Sequence, residues 1–205
     1  MWITLRQLRP LPLNTVQLNR KKIVSTAVDI LQQYGLADLT MRRLARALDV
    51  APGALYWHFP NKQALLGGIA ESILTAVPAR PGSPADYCTF LFDALTSLRD
   101  GADITLAAVA SGTLDRDLAA ELGAELSAQH TRYEETHEPV CSAVDDAKLL
   151  LRFVFGSALE LQARQSVAKN LGTPADKPEI IATSHSHARR ELVLGVETIL
   201  RGFSR

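Results

Sequence analysis

Apolar residues recur every three to four positions through most of this chain, and strict alternation is absent, so the pattern predicts helices and no sheet. From Leu18 to Tyr34, Ile23, Ala27, Ile30, Leu31 and Tyr34 form one inward stripe, and Gly35 ends the helix. Thr40 caps a second helix with Met41, Leu44, Ala45 and Leu48 inward. Asp49, which tolerates left-handed backbone, stops it. Val50 is an apolar plug in the turn. Pro52 opens a short helix to about Trp57, with Leu55 and Phe59 inward together. Asn61 caps the next, which runs to Val77 with Leu65, Leu66, Ile69, Ile73 and Leu74 inward. Pro78 to Pro84 reads as a linker. Further helices are expected at about 85–98, 102–110, 114–136, 144–171 and 179–203. The expected fold is all-α: a three-helix head over 18–78 and a helical body over 84–205. Residues 1–17, where Pro10 and Pro12 forbid a regular helix, make an arm.

Two helices joined by a three- to four-residue turn, the second short and exposed, form a helix-turn-helix. With Leu55 and Phe59 inward, its outer face is left to Gly53, Ala54, Tyr56, Trp57 and His58. Large aromatics facing water want something to meet. Arg42, Arg43 and Arg46 lie off the apolar stripe. Arg42 and Lys62 sit at helix N-termini, where the helix dipole disfavours cations. Phosphate would explain both, and the Thr40 hydroxyl and the helix N-terminal N–H groups could bind phosphate too. The candidate surface for double-stranded DNA is therefore Thr40, Arg42, Arg43, Pro52, Gly53, Ala54, Tyr56, Trp57, His58 and Lys62.

Composition sharpens this in two ways. The formal net charge is zero, but residues 1–62 hold nine Lys or Arg against three Asp, a balance of +6, and the rest carries −6. A basic head on an acidic body fits a DNA-binding module carried by another domain. Arg6 and Arg9 in the arm either reach a minor groove or belong to a disordered start. Arg20, Lys21 and Lys22 are either backbone contacts or a solvated helix end. With 47% hydrophobic residues but no run approaching the roughly 18 of a membrane span, a globular chain off the membrane is expected. The apolar N-terminus is broken by Arg6, Arg9, Pro10 and Pro12 and makes a poor signal peptide, so the expected compartment is the cytoplasm. Cys88 and Cys141 are read as free buried thiols.

The stretch LT-x-R-x-LA-x-x-L-x-V, followed by LYWHF, NK and A-L-L, closely resembles the DNA-binding domain of tetracycline-repressor-type (TetR family) regulators over about Asn19 to Leu74. Asp49 stands where Gly is commoner in that family, and Gly53 is unusually small near the start of the recognition helix. The resemblance implies a homodimeric repressor on a palindromic operator, released by a small-molecule effector. It also implies that the two long late helices pair with a second copy. Their broad apolar faces are Leu149, Leu150, Phe153, Val154 and Leu161, then Leu192, Val193, Val196, Ile199, Leu200 and Phe203. The body resembles the tetracycline repressor more weakly, through ALTSLRDGA and ELVLGVETILRGF. Thr105 replaces an expected metal-binding His and Tyr87 an expected drug-contacting Asn, while Glu160 matches an acidic position. The implied ligand is therefore not magnesium–tetracycline but another small molecule. Its expected lining is Tyr87, Phe90, Leu91, Thr105, Arg152, Phe155 and Glu160, with no metal and no cofactor.

Two other classes were weighed. His185 and His187, two apart, fall on different helix faces, and HExxH, Ser/His/Asp and CxxC patterns are absent, so the sequence does not read as an enzyme. A helical adaptor that binds protein through Tyr56 and Trp57 is the other, and the basic skew around those aromatics argues against it.

Overall fold

The computed structural model describes residues 18–130, 142–171 and 178–203. Among these the chain is all-α. The helices are α1 (Arg20–Tyr34), α2 (Met41–Ala47), α3 (Pro52–Tyr56), α4 (Lys62–Leu74), α5 (Pro84–Thr96), α6 (Gly101–Ala110), α7 (Leu118–His130), α8 (Ala143–Asn170) and α9 (Pro178–Phe203). A 3-10 turn, Leu36–Asp38, follows α1. The arm, residues 131–136 of the helix expected at 114–136, and Cys141 lie outside the described residues.

Local chemistry sets the boundaries. Asn19, Thr40, Asn61, Ser83 and Ser142 each accept a backbone N–H from three residues on, and so start α1, α2, α4, α5 and α8. Each cap stabilises its helix by about 1 kcal/mol. Gly35 (φ 83°) ends α1 and Asp49 (φ 53°) carries the left-handed turn after α2. The break expected at Pro78–Pro84 separates α4 from α5, except that Pro84 is already the first residue of α5.

Two expectations need correction. The segment from Leu114 to Asp117 is not helical. Glu71 of α4 accepts the N–H groups of Asp115 (2.7 Å) and Arg116 (3.4 Å), and Asp117 then caps α7 through Ala119 and Ala120. Tyr34 is not inward but 47% exposed, because Arg43 lies over its ring, 3.8 Å from the centroid.

One continuous core joins head and body. Leu44, Leu55, Phe59, Leu65, Ile69, Leu91, Phe92 and Leu95 are all fully buried in it. Helix α4 is the shared element, packing on α1 in the head and on α5 and α6 in the body. The approach to the loop after α6 is close: a Cβ on Gly67 would lie 2.4 Å from the Thr113 carbonyl oxygen. The α5–α6 corner makes a second junction. Asp100, itself left-handed (φ 59°), accepts the Leu36 N–H at 2.6 Å. Behind it, the buried Gln162 amide of α8 donates to the Leu95 and Leu98 carbonyls and accepts the Ala102 N–H. Gln162 closes the end of α5 and the start of α6 together, which the sequence pattern did not reveal.

Candidate nucleic-acid interface

The inner side of the helix-turn-helix explains its outer side. Leu44, Ala45, Leu55 and Phe59 are at most 1% exposed, with Leu48 and Val50 packed against them. Phe59 nests over α4 where a Cβ on Gly68 would come within 2.8 Å of its ring. Arg20 covers the other face of Phe59 (4.3 Å to the centroid) and donates to the His58 carbonyl at 2.7 Å. Arg20 therefore clamps the end of α3 onto α1, and its guanidinium is already spent on the fold.

With that side anchored, α3 turns its remaining residues outward. Pro52 and Gly53 are exposed, Ala54 and His58 half-buried, and Tyr56 is 49% and Trp57 91% exposed. Nothing lies within 4 Å of where a Gly53 Cβ would be, so this position is open space. A tryptophan this exposed keeps a large apolar surface in water, and burying it would recover about 1.5–3 kcal/mol.

The flanking cations divide into two groups. Arg43 is engaged: it donates to Asp38 at 2.6 Å and stacks on Tyr34, and its side chain is 35% exposed. Arg43, in the expected DNA surface, is thus already held by partners within the head. Arg42 and Lys62 make no ion pair among the described residues, and both sit in first turns, where the dipole is unfavourable to them. Thr40 accepts the Arg43 N–H through its hydroxyl oxygen, which leaves the hydroxyl hydrogen free to donate. Arg46 was left out of the expected set. It is exposed, likewise unpaired among the described residues, and one turn from Arg42 on the same face of α2. The spacing from Arg42 was the signal for it.

The expected ligand set does not come together. Leu91 and Thr105 are fully buried, and the Thr105 hydroxyl donates to the Gly101 carbonyl. Phe155 is 7% and Phe90 37% exposed. Arg152 is exposed, and Glu160 is an exposed partner of Arg164 on the same helix. Of the seven, Tyr87 borders the cavity between α4, α5 and α7.

That cavity, of about 530 Å³, lies between the end of α4, α5 and α7, and Leu74, Val77, Pro81, Tyr87, Glu121 and Glu125 line part of it. Arg116 binds both Glu121 oxygens (2.9 and 2.6 Å) and donates to the Leu74 carbonyl at 2.7 Å. Tyr87 donates to Glu121 at 3.0 Å. Hydrogen bonding from Arg116 holds the Glu121 carboxyl below its ordinary value. Burial, reinforced by the Glu121 charge, pushes the Tyr87 phenol well up. Beside Tyr87, burial pushes the Cys88 thiol up to about 12.

An anchored helix-turn-helix that shows aromatics and unpaired cations defines a DNA-binding type of head on an all-helical body. Comparison with known proteins agrees. Residues 23–69 match the model for bacterial regulatory proteins of the tetR family. The class C tetracycline repressor of Escherichia coli is 41% identical over 97 residues, which are 43% of this chain and 44% of that protein. The matched stretch thus spans less than half the length of that relative. The crystal structure of Mycobacterium smegmatis BioQ is 32% identical with a TM-score of 0.73, covering 91% of this chain and 98% of that one. BioQ bound to its natural double-stranded DNA operator scores 0.70 at the same identity and coverage. The chain belongs to the tetR family of bacterial regulatory proteins.

Proposed function

We propose that this chain is a sequence-specific DNA-binding transcriptional repressor that works in the cytoplasm as a homodimer on a palindromic operator and is released by a small molecule. The observation that carries this reading is the anchored α3 with Trp57 91% exposed, beside unpaired Arg42 and Lys62. Gly53, Ala54, Tyr56 and Trp57 enter a major groove. Thr40, Arg42, His58 and Lys62 hold the flanking phosphates. The head is residues 18–78 and the body 84–205, with α4 shared between them. BioQ, a structural relative of similar length, forms a complex with its operator.

Support for a second copy comes from α8 and α9. Leu149 is 47%, Val167 57% and Leu194 63% exposed. A Cβ at Gly156, on α8, would meet nothing within 4 Å, which leaves room for a close partner helix. Pairing of these helices as a four-helix bundle covers them and fixes the separation of the two heads. The effector occupies the cavity beside α4. By changing how α4 is held it favours a state whose heads no longer fit both half-sites. No helix among the described residues is long and apolar enough to cross a membrane. Membership of a family of regulatory proteins answers the enzyme alternative.

Selection of bound duplexes from a random pool tests the proposal. A palindromic consensus is the expected result. Failure of folded protein to enrich any sequence at low salt would overturn it.

A further inference from the structure

The cavity beside α4 has a charge imbalance that its own contacts do not remove. Its bordering ionisable groups are Arg116, Glu121, Glu125 and the phenol of Tyr87. Arg116 spends its charge on Glu121, which it binds through both oxygens, and Tyr87 donates a third hydrogen bond to the same carboxylate. Tyr87 stays neutral at ordinary pH, since burial resists its ionisation. Glu125 is left. It is half-buried, borders the cavity and makes no hydrogen bond or ion pair among the described residues. It also lies one turn beyond Glu121 on the same face of α7, so the two carboxylates border the cavity side by side. Arg80, between the lining residues Ala79 and Pro81, is exposed and does not border the cavity. The remaining walls, Leu74, Val77, Ala79, Pro81 and Ala124, are apolar apart from Thr75, whose hydroxyl donates to the Ser72 carbonyl. A volume of about 530 Å³ suits an organic molecule, since such sites run from roughly 300 to 1,000 Å³.

We propose that this cavity binds a lipophilic cation, an organic ammonium or guanidinium on an apolar frame, with its charge between Glu125 and Glu121 and its frame against Leu74, Val77 and Pro81. This rests on the cavity's being the effector site. An anionic ligand would face an uncompensated carboxylate and find its only counter-charge, Arg116, already bidentate on Glu121. A cation completes the balance by giving Glu125 a counter-charge.

The same contacts give the ligand a route to the head. Arg116 ties Glu121 to the Leu74 carbonyl, the last residue of α4, and the adjacent Asp115 and Arg116 N–H groups are held by Glu71 of α4. A cation that shares Glu121 loosens the Arg116 bridge at the point where α4 leaves the body. Arg116 is thus a positioning residue, acting on the head through α4.

The test is calorimetric titration of the DNA-free, full-length protein with two probes of matched shape and opposite charge, naphthylethylammonium and naphthylpropanoate. The cation is expected to bind about tenfold or more tightly than the anion. Glu125→Gln should abolish that preference, and Glu125→Asp should keep most of it. Equal affinities, a preference for the anion, no binding of either probe by folded protein, or a preference indifferent to Glu125→Gln would each overturn the assignment. DNA is absent from the titration, so duplex selection on the same preparation judges the regulator reading separately.

Discussion

Gly53 and Gly67 are one residue type with opposite expected responses to a methyl group. At Gly53 nothing lies within 4 Å of a Cβ, so Gly53→Ala gains helix propensity, up to about 1 kcal/mol, and raises the denaturant midpoint. Because the methyl stands on the outer face of α3, the same variant should change which duplexes are preferred. At Gly67 the Cβ would sit 2.4 Å from the backbone oxygen of Thr113, which cannot swing aside. The clash, about 1–3 kcal/mol, outweighs the propensity gain, and Gly67→Ala should lower the midpoint. Lys62 has no ion-pair partner among the described residues, so its charge is available to phosphate. Lys62→Ala should weaken binding to every duplex and make the log–log salt dependence shallower by about 1. An unchanged slope would remove Lys62 from the interface. At this scale the sequence was clearest about what is buried. Leu55 and Phe59 were legible as an inward pair and are both fully buried. Tyr34 departs from expectation for one reason: an aromatic on an apolar stripe and a cation off it, here Arg43, give no hint that they stack outside the core.

Among elements, the informative ones are α4, α5 and α7 and the contacts between them. Tyr87 on α5 and Glu121 on α7 titrate at opposite ends of the pH range. The Glu121 carboxyl is held low in the fold, so its contribution is present above the ordinary carboxylate range, near pH 4.3, and is lost as pH falls through the folded value. The Tyr87 phenol is held high, so its contribution is present below the unfolded value, near 10, and is lost as pH rises beyond it. Stability measured against pH should therefore fall in alkali, from about pH 8.5 through the buried Cys88 thiol and more steeply above about pH 10 through Tyr87, and Tyr87→Phe should remove only the steeper part. A wild-type profile flat to pH 11, or an unchanged one in the variant, would count against the buried neutral phenol. Gln162 makes a simpler case. Gln162→Leu removes the side-chain partner of the Leu95 and Leu98 carbonyls and strands the Ala102 N–H, and should cost about 2–3 kcal/mol in chemical denaturation. Helix starts with side-chain caps were readable, as at Thr40 and Asn61. The start of α7 has such a cap in Asp117, but the helix begins four residues later than expected because Glu71, more than 40 residues earlier, takes the N–H groups of Asp115 and Arg116. No local pattern records a capture of that kind.

At the scale of the molecule, the expected all-α plan with a basic head was legible because it rests on periodicity and charge, which survive folding unchanged. The cavity was not. An apolar stripe marks a residue as buried without saying whether it meets packed neighbours, as Thr105 and Leu91 do, or a hollow, as Tyr87 does. The exposed apolar residues of α8 and α9 carry a further prediction. Leu194→Arg should shift sedimentation toward the monomer and weaken binding to a two-half-site duplex together, since a charge placed in a helix–helix seam costs several kcal/mol. A variant that stays dimeric would place the seam elsewhere.

In the proposed function DNA covers the outer face of α3, and Trp57 reports on it directly. The chain has two tryptophans, Trp2 and Trp57, so Trp2→Phe leaves one signal. Iodide should quench Trp57 freely in the protein alone, where it is 91% exposed. With a saturating selected duplex the quenching should fall several-fold, and a scrambled duplex at the same salt should protect it far less. Trp57 left equally open to iodide on a duplex that the protein demonstrably binds would contradict the account.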